Sequence, residues 1–398
     1  MNRILLPSFL LAAIVTAAGF AAPATTNDAT GETAWTAHGF TTAQRAQLRD
    51  AWSWGIENKF VPGGAMLVIH RGDVIFREAF GVADLETKRP FTVEAPCRIA
   101  SVTKPHTATL FALLVEQGKL SWDDPIDQHL PQFRGVKVHG KGPARRGPKI
   151  RELLSHTAGL AGQAARSEEQ WRFKTNGTLA EAVDDMARAG LAAEPGTVYA
   201  YTGLGYMVAG RIAEVVTGRE FSALMQERLL GPIGATTAVF YPAASAGLKA
   251  RMPTMYERIA GKLVKADVAA REEAGVMFPN PGGGLVSTLD DVARLLMLHR
   301  NRGAVEGGRV VAAESLRALY RPQPATGRDG YGFGFNVLRT DASGYGDRVR
   351  HTGASGTLVM IDFKQDLLVV VLTQVPTKQR LPFGNRLGQA IDAVFSNP

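Results

Sequence analysis

The sequence predicts an α+β fold: one antiparallel sheet, flanked by N- and C-terminal helices, interrupted by a mostly helical inserted domain. Three observations carry this: strand-like runs early in the chain, helical segments broken by Pro and Gly through its middle, and strand-like runs again near its end. Thr41 to Phe60 places Leu48, Trp52 and Ile56 four apart, the spacing of one helix face, and Pro62-Gly63-Gly64 ends it. Ala65 to His70 and Val74 to Phe80 flank Arg71-Gly72-Asp73 and read as a hairpin. The helical middle comprises His106 to Gln117, Ile150 to Ser155, Leu179 to Ala189, Gly205 to Thr217 and Ser222 to Leu229. Strand character returns at Gly332 to Leu338, Arg348 to His351, Thr357 to Phe363 and Leu367 to Thr373, with Lys364-Gln365-Asp366 turning between the last two. An amphipathic run from Arg386 to Phe395 closes the chain as a helix. The expected organisation is a signal segment over 1–24, a leader over 25–40, a sheet domain built from 41–100 and 282–398, and a helical domain over 101–281.

A chain of 398 residues with 45% hydrophobic content can bury a large core. Arg3, the apolar stretch from Ile4 to Phe20 and the small residues Ala21, Ala22 and Ala24 read as a secretory signal cleaved near Ala22-Pro23-Ala24. The protein is therefore expected to be periplasmic or secreted, or N-terminally membrane-anchored if the signal stays uncleaved. Cys97 is the only cysteine, so export comes without disulfides and the fold relies on burial. In an apolar run ending at Ala100, Cys97 reads as a buried structural thiol. Formal charge is +8, and much of it is local: Arg134 to Arg151 carries Lys137, Lys141, Arg145, Arg146 and Lys149 with no acidic residue. The plain reading of this 134–151 stretch is a solvated loop; the sharper one is a weak contact with an anionic envelope surface. No aromatics interleave with these charges, which argues against a nucleic-acid partner. The eight histidines include no H-E-x-x-H pair, so neither a metal nor another cofactor is expected.

Ser101-Val102-Thr103-Lys104-Pro105 sets a hydroxyl and an amine three residues apart, neighbours on a helix surface. Proline is tolerated only in a helix's first turn, so Pro105 places the helix start near Ser101. A serine there sits among unpaired N–H groups at the positive end of the helix dipole, which favours an alkoxide or oxyanion, and Lys104 can activate it. By itself the pattern fits an N-cap serine and a solvated lysine equally well. Three further stretches accompany it. They are Leu153-Leu154-Ser155-His156-Thr157-Ala158-Gly159-Leu160, then Glu194-Pro195-Gly196-Thr197 leading to Tyr201-Thr202-Gly203 and Gly205-Tyr206, and finally His351-Thr352-Gly353-Ala354-Ser355-Gly356.

This order of Ser-x-x-Lys, Tyr motif and His-Thr-Gly strand resembles the serine hydrolases related to class C β-lactamases, penicillin-binding D-peptidases and family VIII esterases. The resemblance spans roughly Phe40 to Phe395 and takes in Gly282-Gly283-Gly284-Leu285-Val286-Ser287-Thr288 and Tyr331-Gly332-Phe333-Gly334. It implies a β-lactamase/transpeptidase-like fold, a site where sheet and helical domain meet, and an acyl-enzyme on Ser101. It further implies that Lys104 and Tyr201 share proton transfer, that the N–H groups of Ser101 and Ala354 form the oxyanion hole, and that His351, Thr352 and Gly353 bind substrate. A phenol with its ordinary pKa of about 10 needs a neighbouring ammonium to act as a base, so Lys104 and Tyr201 would work as a unit. Tyr199 competes for the tyrosine role, and the register from Pro195-Gly196-Thr197 to Gly205-Tyr206 favours Tyr201. His156 fits a structural turn better than chemistry.

Two departures bear on substrate. The Tyr motif of the family usually ends in Asn, whose amide holds substrate and lysine; here it ends in Gly203, a loss of about 1.5–3 kcal/mol of preorganised contact. The strand motif begins with His351 where many relatives carry Lys, and a neutral imidazole is a poor partner for a substrate carboxylate. With no class A E-x-x-L-N segment, deacylation falls to Tyr201 and Lys104. The expected activity is hydrolysis of small esters or amides, with β-lactam or D-alanyl peptide turnover as the alternative. A non-catalytic module that binds or senses cell-wall fragments is the reading from another class; Gly203 favours it, and the intact Ser101, Lys104 and Tyr201 oppose it. Oligomeric state is not legible in the chain.

Overall fold

Six strands form one antiparallel sheet: β1 (Gly63–His70), β2 (Asp73–Gly81), β3 (Asn336–Thr340), β4 (Gly346–Gly353), β5 (Thr357–Asp362) and β6 (Leu367–Leu372). Their spatial order is β3-β4-β5-β6-β1-β2. The computed structural model describes residues 29–160, 177–267 and 278–395, so the expected signal segment lies outside the described residues. β1 pairs with β6 from Ala65↔Leu372 to His70↔Leu367, which joins the two ends of the chain around everything between them. Alternation along β1 sends Met66 and Val68 to one face and Ala65, Leu67 and Ile69 to the other.

Terminal helices cover the first face. The Thr42–Glu57 helix starts where it does because Thr41 and Gln44 form a capping box, and it packs against the Leu381–Phe395 helix. Trp52 stacks on Phe80 with centroids 4.8 Å apart. A third helix, Ala29–Ala37, falls in the stretch read as a leader. Its Trp35 is fully buried against Phe40, Phe76 and Phe395, so this segment is part of the fold rather than a tether.

The opposite face packs on the Leu289–Arg300 helix, which the sequence reading left unassigned. Thr288 caps it by accepting from the Asp291 N–H. Beyond lies the helical domain, with Thr103–Glu116, Ile150–Leu154, Leu179–Ala189 and Leu204–Thr217 close to their expected bounds. Phe221–Met225 runs on into a π-helical turn, Gln226–Leu230. Besides the short Lys137–Val138 and Gly142–Pro143 pair, a hairpin, Tyr256–Ile259 with Lys262–Lys265, departs from the helical reading. It docks on the sheet, where the Tyr256 N–H donates to Gln374 O at 3.0 Å and the Tyr256 hydroxyl accepts from the Leu85 N–H at 2.7 Å.

The core holds several imidazoles in neutral form. Burial pushes the pKa of His106 down to about 4 and that of His299 to about 3; burial, reinforced by the Lys104 charge, brings His351 to about 3. The unfolded chain binds these protons near pH 6.5 and the folded one does not, so stability is complete above that pH and is lost as pH falls towards the folded values. Three such groups give a slope of roughly 4 kcal/mol per pH unit once all are engaged. Urea midpoints should hold steady from pH 8 to 7 and drop steeply between about pH 6 and 4.5; a flat profile there would mean the imidazoles are charged or exposed.

Candidate active site

The segment before Ser101 is held by the sheet. Ser355 Oγ donates to Arg98 O (2.6 Å), Thr357 Oγ1 to Ile99 O (2.8 Å), and the Ile99 N–H to Leu285 O (3.0 Å). Ala100 then adopts φ +46°, a left-handed conformation that a non-glycine residue takes only when its surroundings impose it. The chain turns sharply and Ser101 emerges in a 3-10 turn, Ala100–Val102, which leads into the helix at Thr103. The helix thus begins two residues later than Pro105 alone indicates, and Pro105 still sits in its first turn.

Lys104 is 2% exposed, which rules out the solvated lysine. Its Nζ donates to Ser101 Oγ at 3.1 Å and to Gly282 O at 2.6 Å. The rings of Tyr201 and Tyr206 face it, with centroids 5.0 and 5.3 Å from Nζ. A buried amine needs such company, and the carbonyl and the two ring faces supply it. The carbonyl is itself fixed. Asn280 Oδ1 accepts from the Gly282 N–H (2.9 Å), Thr107 Oγ1 donates to Pro281 O (2.6 Å), and Thr103 Oγ1 accepts from the Leu285 N–H (3.2 Å). Thr103 and Thr107 belong to the helix of Lys104, so amine and carbonyl move as one piece.

The third motif closes the wall. Gly353 has no room for a side chain: a Cβ there would lie 2.1 Å from Thr357 Oγ1 and 2.3 Å from Ile99 O. Ala354 is exposed, its carbonyl accepts from the Thr377 N–H (3.1 Å), and its own N–H meets no acceptor among the described residues. Gly353→Ala should therefore force β4 away from the Ser101 segment, costing about 1–3 kcal/mol of stability. A urea titration together with ester hydrolysis checks this; unchanged values in both would show that the two segments are not in contact.

Residues 40–392 match the family model described as Beta-lactamase. The chain belongs to the beta-lactamase family. It is 33% identical over 310 residues to Penicillin-binding protein 4 of Amycolatopsis lactamdurans, covering 74% of this chain and 75% of that protein. It is 27% identical over 340 residues to Esterase EstB of Burkholderia gladioli, covering 77% and 83%. A solved structure, "EstCE1, a hydrolase with promiscuous acyltransferase activity", shares the fold with a TM-score of 0.76 at 24% identity, over 87% of this chain and 98% of that one. The protein is a serine hydrolase of the beta-lactamase family, with the family's antiparallel sheet and helical domain.

Within this beta-lactamase-family site, Tyr201 is 38% exposed, a rim position, and its ring faces Lys104. The competing Tyr199 lies 6.0 Å, between centroids, from both His156 and Tyr331. His351 is placed differently from the expectation that it binds substrate. Its Nδ1–H donates to Thr352 O (2.8 Å) and its Nε2 accepts from the Tyr331 hydroxyl (3.0 Å), so neither ring nitrogen is free and the ring backs the wall from inside. Burial also keeps the Tyr331 phenol well above its usual pKa, hence a donor. Gly203 leaves open space, since a Cβ there meets nothing within 4 Å.

His156, read as a turn residue, proves central to the aromatic wall. It sits at φ +61° and is buried, its carbonyl accepts from the Ala200 N–H (2.9 Å), and its Nδ1 accepts from the Thr202 N–H (3.3 Å). It thus grips both neighbours of Tyr201, and its ring lies 4.4 Å from the Tyr201 ring. Burial and the Lys104 charge hold this imidazole neutral. A histidine inside Leu153–Leu160 carried no sequence signal of this task, because its partners lie more than 40 residues away.

Proposed function

We propose that this serine hydrolase is an exported enzyme that cleaves small esters or amides through an acyl-enzyme on Ser101. The observation that carries the reading is the buried Lys104 amine, held between Ser101 Oγ and Gly282 O beneath the Tyr201 ring. In its neutral form Lys104 takes the Ser101 proton as Oγ attacks the acyl carbonyl. The N–H groups of Ser101 and Ala354 receive the oxyanion. Tyr201, at the rim, returns a proton to the leaving group, and the acyl-enzyme forms. The Tyr201 phenolate then takes a proton from a water, which attacks the ester, and Lys104 returns its proton to Ser101 Oγ as the acid leaves and the serine is restored.

Ester preference is supported by the neutral, internally bonded His351, which offers no charge to a substrate carboxylate, and by the open space at Gly203. The relative named an esterase accords with it. The relative named a penicillin-binding protein favours the second reading, β-lactam or D-alanyl peptide turnover. Export is supported by the composition of residues 1–24; no described helix is long and apolar enough to cross a membrane. Rates on a short-chain nitrophenyl ester, nitrocefin and a D-alanyl dipeptide, measured side by side, test the substrate class. The ester should be fastest; faster nitrocefin or dipeptide turnover would replace ester preference with the second reading.

A further inference from the structure

The basic stretch singled out in the sequence divides into two halves with different fates. Arg146 bonds both carboxylate oxygens of Glu152 and donates to Pro195 O (3.0 Å), while Lys149 and Arg151 share Asp123 at 2.9 and 2.7 Å. These three cations are used inside the fold. Arg134, Lys137 and Lys141 are exposed, and among the described residues no carboxylate pairs with any of them. They line a groove of about 500 Å³ together with Gln132, His139 and Arg188.

Secondary structure holds the cations on this groove. Lys137–Val138 pairs with Gly142–Pro143, which puts Lys141 in a tight hairpin, and the same strand bonds Leu191 on both sides, through Leu191 N–H to Lys137 O and His139 N–H to Leu191 O, each 2.8 Å. Val136 and Val138 turn inward, so Lys137 and His139 point out. Of the nearby carboxylates, Asp185 pairs with Arg188, while Asp184 accepts from the neutral Gln132 Nε2 (2.8 Å) and keeps its charge. With one charged carboxylate, Asp184, beside Arg134, Lys137 and Lys141, the groove still presents a net positive row on a rigid support, sharing no residue with the Ser101 site.

We propose that this groove binds a linear polyanion, a chain of phosphate or carboxylate repeats. Its concave shape suits a strand laid along it. A bilayer is the poorer fit, because the groove's larger apolar side chains, Val136 and Val138, are buried, and Ala187 and Ala189, which are half-buried, are too small to insert. Such binding would hold the hydrolase at an anionic matrix without touching its chemistry.

The test uses the full chain with inorganic polyphosphate and polyglutamate as probes, across a salt series. Lys137→Glu with Lys141→Glu is compared with Lys262→Glu with Lys265→Glu, an equal charge change on the exposed hairpin elsewhere. The groove pair should weaken binding at least roughly tenfold and lower the slope of log affinity against log salt by about one to two, the control pair less than about threefold. Ester hydrolysis should stay at the wild-type rate in both, and if the glutamates impair folding, Lys137→Gln with Lys141→Gln answers the same question. Equal weakening in the two pairs, no wild-type binding of either polymer at about 50 mM salt, or binding to phosphatidylglycerol vesicles in preference to both polymers overturns the proposal.

Discussion

Ser101→Ala should abolish labelling by a fluorophosphonate and lower hydrolysis of a short-chain nitrophenyl ester by roughly 10⁴-fold or more. The effect is large because the hydroxyl is the atom that bonds to the acyl group, and nothing adjacent replaces it. Folding should be unaffected. Among the described residues the side-chain partner of Ser101 Oγ is Lys104 Nζ, and that amine keeps its bond to Gly282 O when the hydroxyl is gone. A variant that folds like wild type and still takes the label at full stoichiometry would remove Ser101 from the mechanism.

Lys104→Met carries the second large effect, a fall in kcat of about 10³-fold with the fold retained. Methionine fills most of the volume of a residue that is 2% exposed, so the change separates chemistry from packing. What is lost is the proton acceptor 3.1 Å from the serine. Removing a buried amine also removes its desolvation cost, and this offsets the carbonyl left unpaired at Gly282. Thermal unfolding should therefore shift by only a few degrees while turnover collapses. A loss of stability in step with the loss of activity would assign Lys104 a structural role instead.

What the sequence disclosed follows from how local each signal is. The β1–β2 hairpin was legible because two strand-like runs flank a turn sequence, which the structure closes at Arg71-Gly72 with His70 opposite Asp73. Leu179–Ala189 was legible because its signals are local, and the Thr178 cap that starts the helix lies in the same window. β3 begins at Asn336 rather than Gly332, because the Gly332 N–H closes a turn on Phe335 O before the strand starts. The hairpin at Tyr256–Lys265 escaped notice because its strands are short, and what orders them is docking on Gln374 and Leu85, far along the chain. Ser101 and Lys104 share one helical turn and could be paired by spacing alone. The carbonyl that completes their geometry lies 178 residues from Lys104 and belongs to backbone, which no residue pattern marks. For His351 the resemblance pointed to substrate, and the bond its outer nitrogen accepts from Tyr331, 20 residues earlier, was not marked by any local pattern.

The pairing of β1 with β6 also sets an order of events. Every residue of β1 is buried in the finished sheet, and His70 meets its partner Leu367 about 300 residues later. At a synthesis rate of about 5–20 residues per second, this apolar segment waits for tens of seconds with β2 as its one neighbour and its other edge unpaired. Such a strand is a ready template for wrong partners. Yield of the intact protein should therefore depend on what shields β1 in the nascent chain, and a polypeptide ending before β6 should collect in aggregates, however complete its helical domain.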